Sequence, residues 1–282
     1  MLSRRSGAGG RHLRWLRPAD RGTRHRVGGS DLNGTGMVQL PTVIRECRGA
    51  PRVLVFDVQG TATDFHATVC DEAQRISGGR HPNVDWGGFV ARWRAGYSAA
   101  LESATRGSHS WVSVHSVYRR VLDSVLDEYG ITDLLAADRE ELTLAWQRLR
   151  PWPDVVPGLT RMKSMFTLAT LSNADVSAVV NISKRGGLPW DAVFTAEMAG
   201  VFKPDPLIYR MAATYLGLEP ADIMMVASHK YDIRAAARLG FQTAFIARPL
   251  EFGVGGAADV AFDDEFDINA HDFLDLAVQL GC

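Results

Sequence analysis

A short apolar run that ends in a carboxylate constrains the fold of this chain more than any other stretch. Residues 53–56 read Val-Leu-Val-Phe, and Asp57 follows directly, with Gly60 and Thr61 after it. A continuous apolar run of this length is typical of a strand buried on both faces of a parallel sheet. Ligands of open α/β sheets bind at the carboxyl ends of such strands. Asp57 is therefore predicted to face a binding crevice.

The chemistry of Asp57 has two interpretations at this point. A carboxylate held at a strand end can attack a substrate and form an ester-type intermediate. Gly60 allows a sharp backbone turn that leaves amide N–H groups facing an anion, so we expect the loop with Thr61 to contact the substrate. Alternatively, Asp57 only caps a turn. The stretch alone leaves both interpretations open.

The first 36 residues differ in charge from the rest of the chain. They contain eight arginines, no lysine and two aspartates, a net charge of +6, and few periodic apolar residues. This composition predicts a disordered basic tail over residues 1–36. The whole chain has net charge −1, so the remainder carries −7. A mildly acidic body gives no reason to propose nucleic-acid binding.

Residues 66–150 have helical rather than β periodicity. Apolar residues recur at steps of three and four along two segments: Trp86, Phe89, Val90, Trp93, Tyr97 and Leu101, then Val114, Val117, Tyr118, Val121, Leu122 and Val125. Such spacing predicts amphipathic helices, and residues 138–150 are predicted to form a third, shorter one. The segment has no strand signals. We therefore expect an all-helical cap inserted after the first strand.

From Pro151 onward, strand and helix patterns alternate. Strands are predicted at 166–171, 191–195, 222–227, 242–247 and 258–262, and helices at 174–185, 205–216, 231–239 and 270–280. This alternation indicates βαβ units. The predicted fold is a doubly wound α/β core with a parallel sheet, formed by residues 50–65 and 151–282.

Polar residues follow several of these predicted strands. Ser172 and Asn173 can donate hydrogen bonds to an anion, Lys203 can balance negative charge beside Asp57, and Asp232 can orient Lys203 or a water. Each also has a structural interpretation: Ser172 as a helix N-cap, Lys203 as a solvated residue, and Asp232 as a carboxylate that stabilises a helix start.

Taken together and in order, Asp57, Ser172, Lys203 and Asp232 resemble the four motifs of the haloacid dehalogenase superfamily. The resemblance covers about residues 50–280. It implies that Asp57 is the nucleophile, Ser172 a hydrogen-bond donor, Lys203 the charge-balancing cation and Asp232 its support. Phosphatases of the superfamily carry a second aspartate two residues after the first as general acid. Here that position is Gln59, which argues against a phosphatase.

Within the superfamily, the chain resembles the type II L-2-haloacid dehalogenases. Lys203 followed by Tyr209 is similar to their lysine motif, and the Trp-Arg pair ending in Arg94 is similar to the cap segment whose arginine takes up the halide. The resemblance implies that Arg94, Asn173 and Tyr209 contact the substrate. Alternatively, Arg94 is a solvated helix residue stacked on an aromatic ring.

Two residues before Asp232 depart from that branch. His229 stands where asparagine is usual, and Ala227 where the first serine is usual. His229 could position the hydrolytic water, act as a base near neutral pH, or only hydrogen-bond the loop. The hydrolysis step and the exact substrate stay open at this point.

The resemblance implies a hydrolase in which Asp57 displaces halide from a small 2-halocarboxylate through an aspartyl ester, giving a 2-hydroxy acid. It implies no cofactor and no metal, because Lys203 would carry the charge that Mg²⁺ carries in phosphatases. Three alternatives remain: a Mg²⁺-dependent phosphatase, a hydrolase that opens a strained ring beside a carboxylate, and a non-catalytic protein on the same fold.

Cysteine usage and hydropathy bound the cellular context. The three cysteines form no metal-binding spacing, which suits a reducing cytoplasm. No apolar run approaches the roughly 18 residues of a membrane span. We therefore predict a cytoplasmic protein with a small carboxylate substrate and no nucleic-acid or membrane partner. A homodimer is plausible for the family.

Overall fold

A computed structural model of the chain describes residues 49–106 and 111–282. The predicted tail at 1–36 lies outside these residues. The described strands are β1 (Val53–Phe56), β2 (Thr63–Asp64), β3 (Arg150–Pro151), β4 (Thr167–Ser172), β5 (Ala192–Thr195), β6 (Ile223–Ala227), β7 (Gln242–Ile246) and β8 (Ile268–Ala270). The described helices are α1 (Phe65–Ser77), α2 (Trp86–Arg106), α3 (Val114–Glu128), α4 (Ala136–Thr143), α5 (Val155–Met162), α6 (Val176–Gly186), α7 (Ala196–Ala199), α8 (Pro206–Leu216), α9 (Lys230–Ala237) and α10 (Phe273–Gln279).

Six strands form one parallel sheet in the order β5-β4-β1-β6-β7-β8. β1 lies in the middle, paired with β4 on one side and β6 on the other. Its four side chains are all buried, as expected for a strand covered on both faces. The strand order reverses at β1, so the crevice of the sheet lies at the carboxyl end of this strand. The predicted doubly wound α/β core is confirmed.

We call the segment from the start of α1 to the end of α4 the cap, and the rest of the described chain the core. The antiparallel pair β2–β3 joins the two, with Thr63 opposite Pro151 and Asp64 opposite Arg150. The expectation of a third cap helix over 138–150 was wrong in its extent. Because the chain pairs with β2 on its way back to the core, α4 ends at Thr143, and a 3₁₀ turn (Leu144–Gln147) leads into β3.

The predicted strand at 258–262 was also wrong. This segment has no regular structure, and its apolar side chains Val260 and Phe262 remain 40% and 47% exposed. The edge position beside β7 is taken instead by β8, which buries Ala270 and leads into α10. Within 49–106 and 111–282, no helix combines the length and apolarity that a membrane span requires.

Candidate active site

The four predicted motif residues meet at the carboxyl edge of the sheet. Asp57 follows β1, and Lys203 lies between α7 and α8 with its ammonium group buried. Lys203 Nζ donates to Asp57 Oδ1 at 2.9 Å and to the Leu171 carbonyl at 2.8 Å, and it bonds Asp232 Oδ2. An ammonium group has three hydrogens, and these three contacts engage all of them. Lys203 is therefore held rigidly between two carboxylates.

This cluster keeps Asp57 ionised. Burial alone would raise the pKa of Asp57, but the charge of Lys203 and the hydrogen bond from His229 outweigh it, so the pKa lies well below its usual value. Burial would likewise lower the pKa of Lys203, but Asp232 and Asp57 raise it above normal. For Asp232, burial and the nearby charge of Asp57 raise the pKa, while Lys203 opposes them. Asp57 is thus the more acidic carboxylate of the pair.

Thr61 and Tyr209 lie behind the cluster, and neither is among the described residues that line the cavity. Thr61 Oγ1 donates to Asp57 Oδ2 at 2.8 Å and accepts from the Ser228 N–H at 2.9 Å. Tyr209 Oη, which is fully buried, donates to Asp232 Oδ1 at 2.6 Å. We expected these two residues to contact the substrate; in the structure both hydroxyl groups point at carboxylates of the cluster, and the substrate contact stays a prediction. They position Asp57 and Asp232.

His229 links Asp57 to a carboxylate that the sequence did not reveal. Its Nδ1 lies 3.3 Å from Asp57 Oδ2, and its Nε2 lies 2.7 Å from Glu251 Oε1. Burial would lower the pKa of His229, but Glu251 and Asp57 raise it well above the usual value. The two carboxylates therefore favour the protonated form of the imidazole. Glu251 lies in an irregular loop after β7, where no sequence motif marks it, and only the fold brings it to His229.

Backbone geometry makes room for Glu251. Gly60 has φ +93°, and a Cβ added there would lie 2.4 Å from Glu251 Oε1, so the glutamate packs directly on the turn that follows Asp57. The buried Arg248 fixes the start of the same loop: its Nε donates to the Thr61 carbonyl at 2.7 Å, and its two Nη atoms pair with both Asp154 oxygens. The loop of Glu251 and the loop of Asp57 are thus held together.

The cap closes over the cluster through Arg94 on α2. Arg94 Nη1 donates to Gln59 Oε1 at 2.9 Å and to Tyr118 Oη at 2.6 Å, and Tyr118 Oη also donates to Gln59 at 3.1 Å. The guanidinium carbon lies 4.9 Å from the centre of the Tyr97 ring. Gln59, at the position of the phosphatase acid, therefore accepts hydrogen bonds from the cap. Sequence patterns placed Tyr118 on a buried helix face and gave no sign of this contact.

A cavity of about 470 Å³ opens above Asp57. Arg94, Ser172, Asn173, Lys203 and His229 all line it. Ser172 Oγ is buried and has no hydrogen-bond partner in the described part of the chain, so a ligand can satisfy it.

Asn173 differs from the expectation, because its side chain is partly engaged. Its Oδ1 accepts from the Lys203 N–H at 2.7 Å, and its Nδ2 donates to the Lys203 carbonyl at 3.2 Å. One amide hydrogen is left for a ligand.

The arrangement combines the parts that covalent catalysis by a carboxylate needs. An ionised carboxylate, Asp57, faces a cavity, a cap arginine offers positive charge, and an imidazole with its own carboxylate partner lies beside that carboxylate. In the described ranges, no group of three or more His, Cys, Asp or Glu side chains is arranged to hold a metal ion.

Comparisons with known proteins agree with this geometry. The family model "haloacid dehalogenase-like hydrolase" matches residues 51–240. The (S)-2-haloacid dehalogenase of Pseudomonas sp. (strain YL) is 30% identical over 207 residues, which cover 69% of this chain and 82% of that protein.

Two solved structures are similar over most of the chain. The defluorinating L-2-haloacid dehalogenase Rha0230 superposes with a TM-score of 0.78 at 37% identity, covering 82% of this chain and 96% of that one. The L-2-haloacid dehalogenase PA0810 gives a TM-score of 0.77 at 36% identity, covering 82% and 100%. The family model, the relatives and the fold all agree with the resemblance seen in the motifs. This chain belongs to the haloacid dehalogenase-like hydrolases.

Proposed function

We propose that this protein displaces halide from a small (S)-2-halocarboxylate, using Asp57 as the nucleophile, and releases the 2-hydroxy acid. The observation that carries the proposal is the buried Asp57, held ionised by Lys203 at the base of a cavity, with Gln59 at the position of the phosphatase acid. The dehalogenase names of the similar proteins support the same reaction class.

Substrate binding uses donors on the core and a cation on the cap. The unpartnered Ser172 hydroxyl and the remaining amide hydrogen of Asn173 hold the substrate carboxylate. Arg94 lines the cavity from the opposite element and takes up the departing halide. This places the carbon–halogen bond between Asp57 and the cap, so attack and departure occur on opposite sides of the α-carbon.

In the first step, an Asp57 oxygen forms a bond to the α-carbon while the carbon–halogen bond breaks, and the bonding pair leaves with the halide. No proton is transferred, which fits a glutamine rather than an acid at position 59. The product is a neutral ester on Asp57. Lys203 keeps Asp232 as a partner.

In the second step, His229 acts as the base. Esterification removes the negative charge 3.3 Å from its Nδ1, and the pKa of His229 then falls because one of its two carboxylate partners is lost. Neutral Nδ1 takes a proton from a water that adds to the ester carbonyl. The imidazolium returns this proton to the departing alkoxide, and the acid proton left on Asp57 then passes to Nδ1 of His229, which restores the ion pair. The proton that His229 released to solvent when the ester formed is the one net proton that the reaction produces. Glu251 holds Nε2 and supports the cationic form.

The alternatives fit the site less well. A Mg²⁺-dependent phosphatase needs a cation beside its aspartates, and here Lys203 Nζ contacts both Asp57 and Asp232. A non-catalytic protein has no use for a buried charged cluster facing a cavity. A ring-opening hydrolase would use the same nucleophile, so it is kept as the second candidate.

The test is halide release from (S)-2-chloropropanoate without added metal, compared between wild type and Asp57→Asn. We expect wild type to release halide and the variant to release none above background, with mass spectrometry finding the ester on wild-type Asp57 alone. Halide release that persists in the variant would rule out Asp57 as nucleophile. Phosphate release that requires Mg²⁺, with no halide release, would favour the phosphatase instead.

Location and assembly remain predictions. Cys70 and Cys282 are free thiols in the described residues, which agrees with a reducing compartment, and we propose the cytoplasm on that basis. A homodimer is kept as an expectation from the family.

A further inference from the structure

The cavity above Asp57 is large for the substrate of the proposed function. Its volume of about 470 Å³ lies within the ~300–1,000 Å³ range of sites that enclose drug-sized ligands. A three-carbon haloacid has only about six non-hydrogen atoms and spans roughly 5 Å, since carbon–carbon bonds are about 1.5 Å long. Much of the space is therefore left over once a carboxylate, a halide and an α-carbon are in place.

The extra space runs along one face of α2. Arg94, Tyr97, Ser98, Leu101 and Glu102 all line the cavity and follow each other at helical steps of three and four. Arg94 and Glu102 are eight residues apart, which corresponds to roughly 12 Å along a helix. Tyr97 Oη donates to the Asn173 carbonyl at 3.0 Å, so the Arg94–Tyr97 end lies at the reacting groups. The Leu101–Glu102 end is the distal one.

The surface of the cavity as a whole is mainly apolar. Leu101 is 7% exposed and belongs to the core packing of the cap, and Pro204 lines the cavity from the core. The Tyr97 and Tyr231 rings also line the cavity, Tyr97 at the boundary with the reacting groups, while Ser98 and Glu102 are exposed residues. A surface of this kind binds a hydrocarbon group, because burial of each methylene contributes favourably.

Resting on the proposed function, we propose that the preferred substrates are (S)-2-halocarboxylates with an extended apolar substituent of about four carbons on C2, rather than haloacetate or 2-halopropanoate. The substituent lies along Tyr97 and Leu101, with Pro204 on the opposite side. The chemistry at Asp57 is the same for long and short substrates, so chain length changes kcat/KM through binding of the substituent.

The test is kcat/KM for bromide release across (S)-2-bromopropanoate, (S)-2-bromobutanoate and (S)-2-bromohexanoate. Burial of one methylene is worth about a fourfold change, so we expect the six-carbon acid to exceed the three-carbon acid by roughly tenfold or more. A flat or falling series, with bromide still released from 2-bromopropanoate, would overturn the chain-length proposal and leave the dehalogenase function standing. No Asp57-dependent bromide release from any member would instead refute the proposed function.

A pair of leucine substitutions on α2 locates the binding surface. Ser98 lines the cavity, whereas Ala99 is its exposed neighbour on the same helix and does not. Ser98→Leu fills part of the distal space, so we expect the hexanoate-to-propanoate ratio of kcat/KM to fall about fivefold or more. Ala99→Leu should keep the wild-type ratio. Equal ratios in both variants and wild type would show that the substituent binds elsewhere.

Discussion

Glu251→Gln tests whether the His229–Glu251 pair drives the second half of the reaction. Glutamine has nearly the same shape, so it can still pack on Gly60, but it removes the charge that lies 2.7 Å from His229 Nε2. An opposite charge at such a distance shifts a pKa by about 1–3 units. A weaker base takes the proton from water more slowly, and we expect the logarithm of the hydrolysis rate to fall by about half of the fall in the pKa of His229. Together with some loss of ring orientation, ester hydrolysis should slow by about 10- to 100-fold.

The two steps are separated by rapid quenching. The rate of halide release in the first turnover should change by less than about threefold, because Glu251 does not contact the reacting carbon. The steady-state turnover rate should fall by the full factor of about 10 to 100. Mass spectrometry should then detect ester on Asp57 during turnover. Glu219→Gln, at an exposed glutamate, controls for the loss of one negative charge. Wild-type turnover without accumulated ester in Glu251→Gln would refute the assignment of His229 as a base supported by Glu251.

Two further predictions concern groups that contact Asp232 and Asp57. Tyr209→Phe removes the hydroxyl that donates to the buried Asp232, so the free energy of unfolding in urea should fall by about 1–3 kcal/mol; an unchanged value would mean that Asp232 does not need this donor. The pKa of His229 is raised in the folded state. The contribution of His229 to folding stability is therefore complete below its usual pKa of 6.5 and is lost as the pH rises through the raised pKa. The difference in unfolding free energy between wild type and His229→Gln should therefore shrink at alkaline pH, and a gap that stays constant or widens would contradict the ion pair.

The sequence predicted the strand ends of the core well, because residues that follow buried parallel strands must meet at one edge. Asp57, Lys203 and Asp232 are in contact as their positions suggested. Glu251 could not be found in this way, since it follows β7 in an irregular loop and meets His229 across 22 residues of chain.

Side-chain direction was the other limit. The sequence placed Thr61 and Tyr209 near the site, but only their hydrogen bonds reveal that they point at carboxylates rather than into the cavity. The strand expected at 258–262 failed because apolar composition does not specify which segment pairs with β7.

In the proposed mechanism, the two half-reactions draw on different parts of the molecule. Asp57, His229 and Glu251 all belong to the core, and Arg248 ties their loops together, whereas Arg94 and Tyr118 reach the site from the cap. A displacement of the cap would therefore separate the halide acceptor from the nucleophile but leave the hydrolytic groups assembled. Loss of the halide through an opened cap need not interrupt the cycle, since the ester left behind still faces its base. On the proposed mechanism, an open cap would stop the first step, whereas the core alone would complete the second.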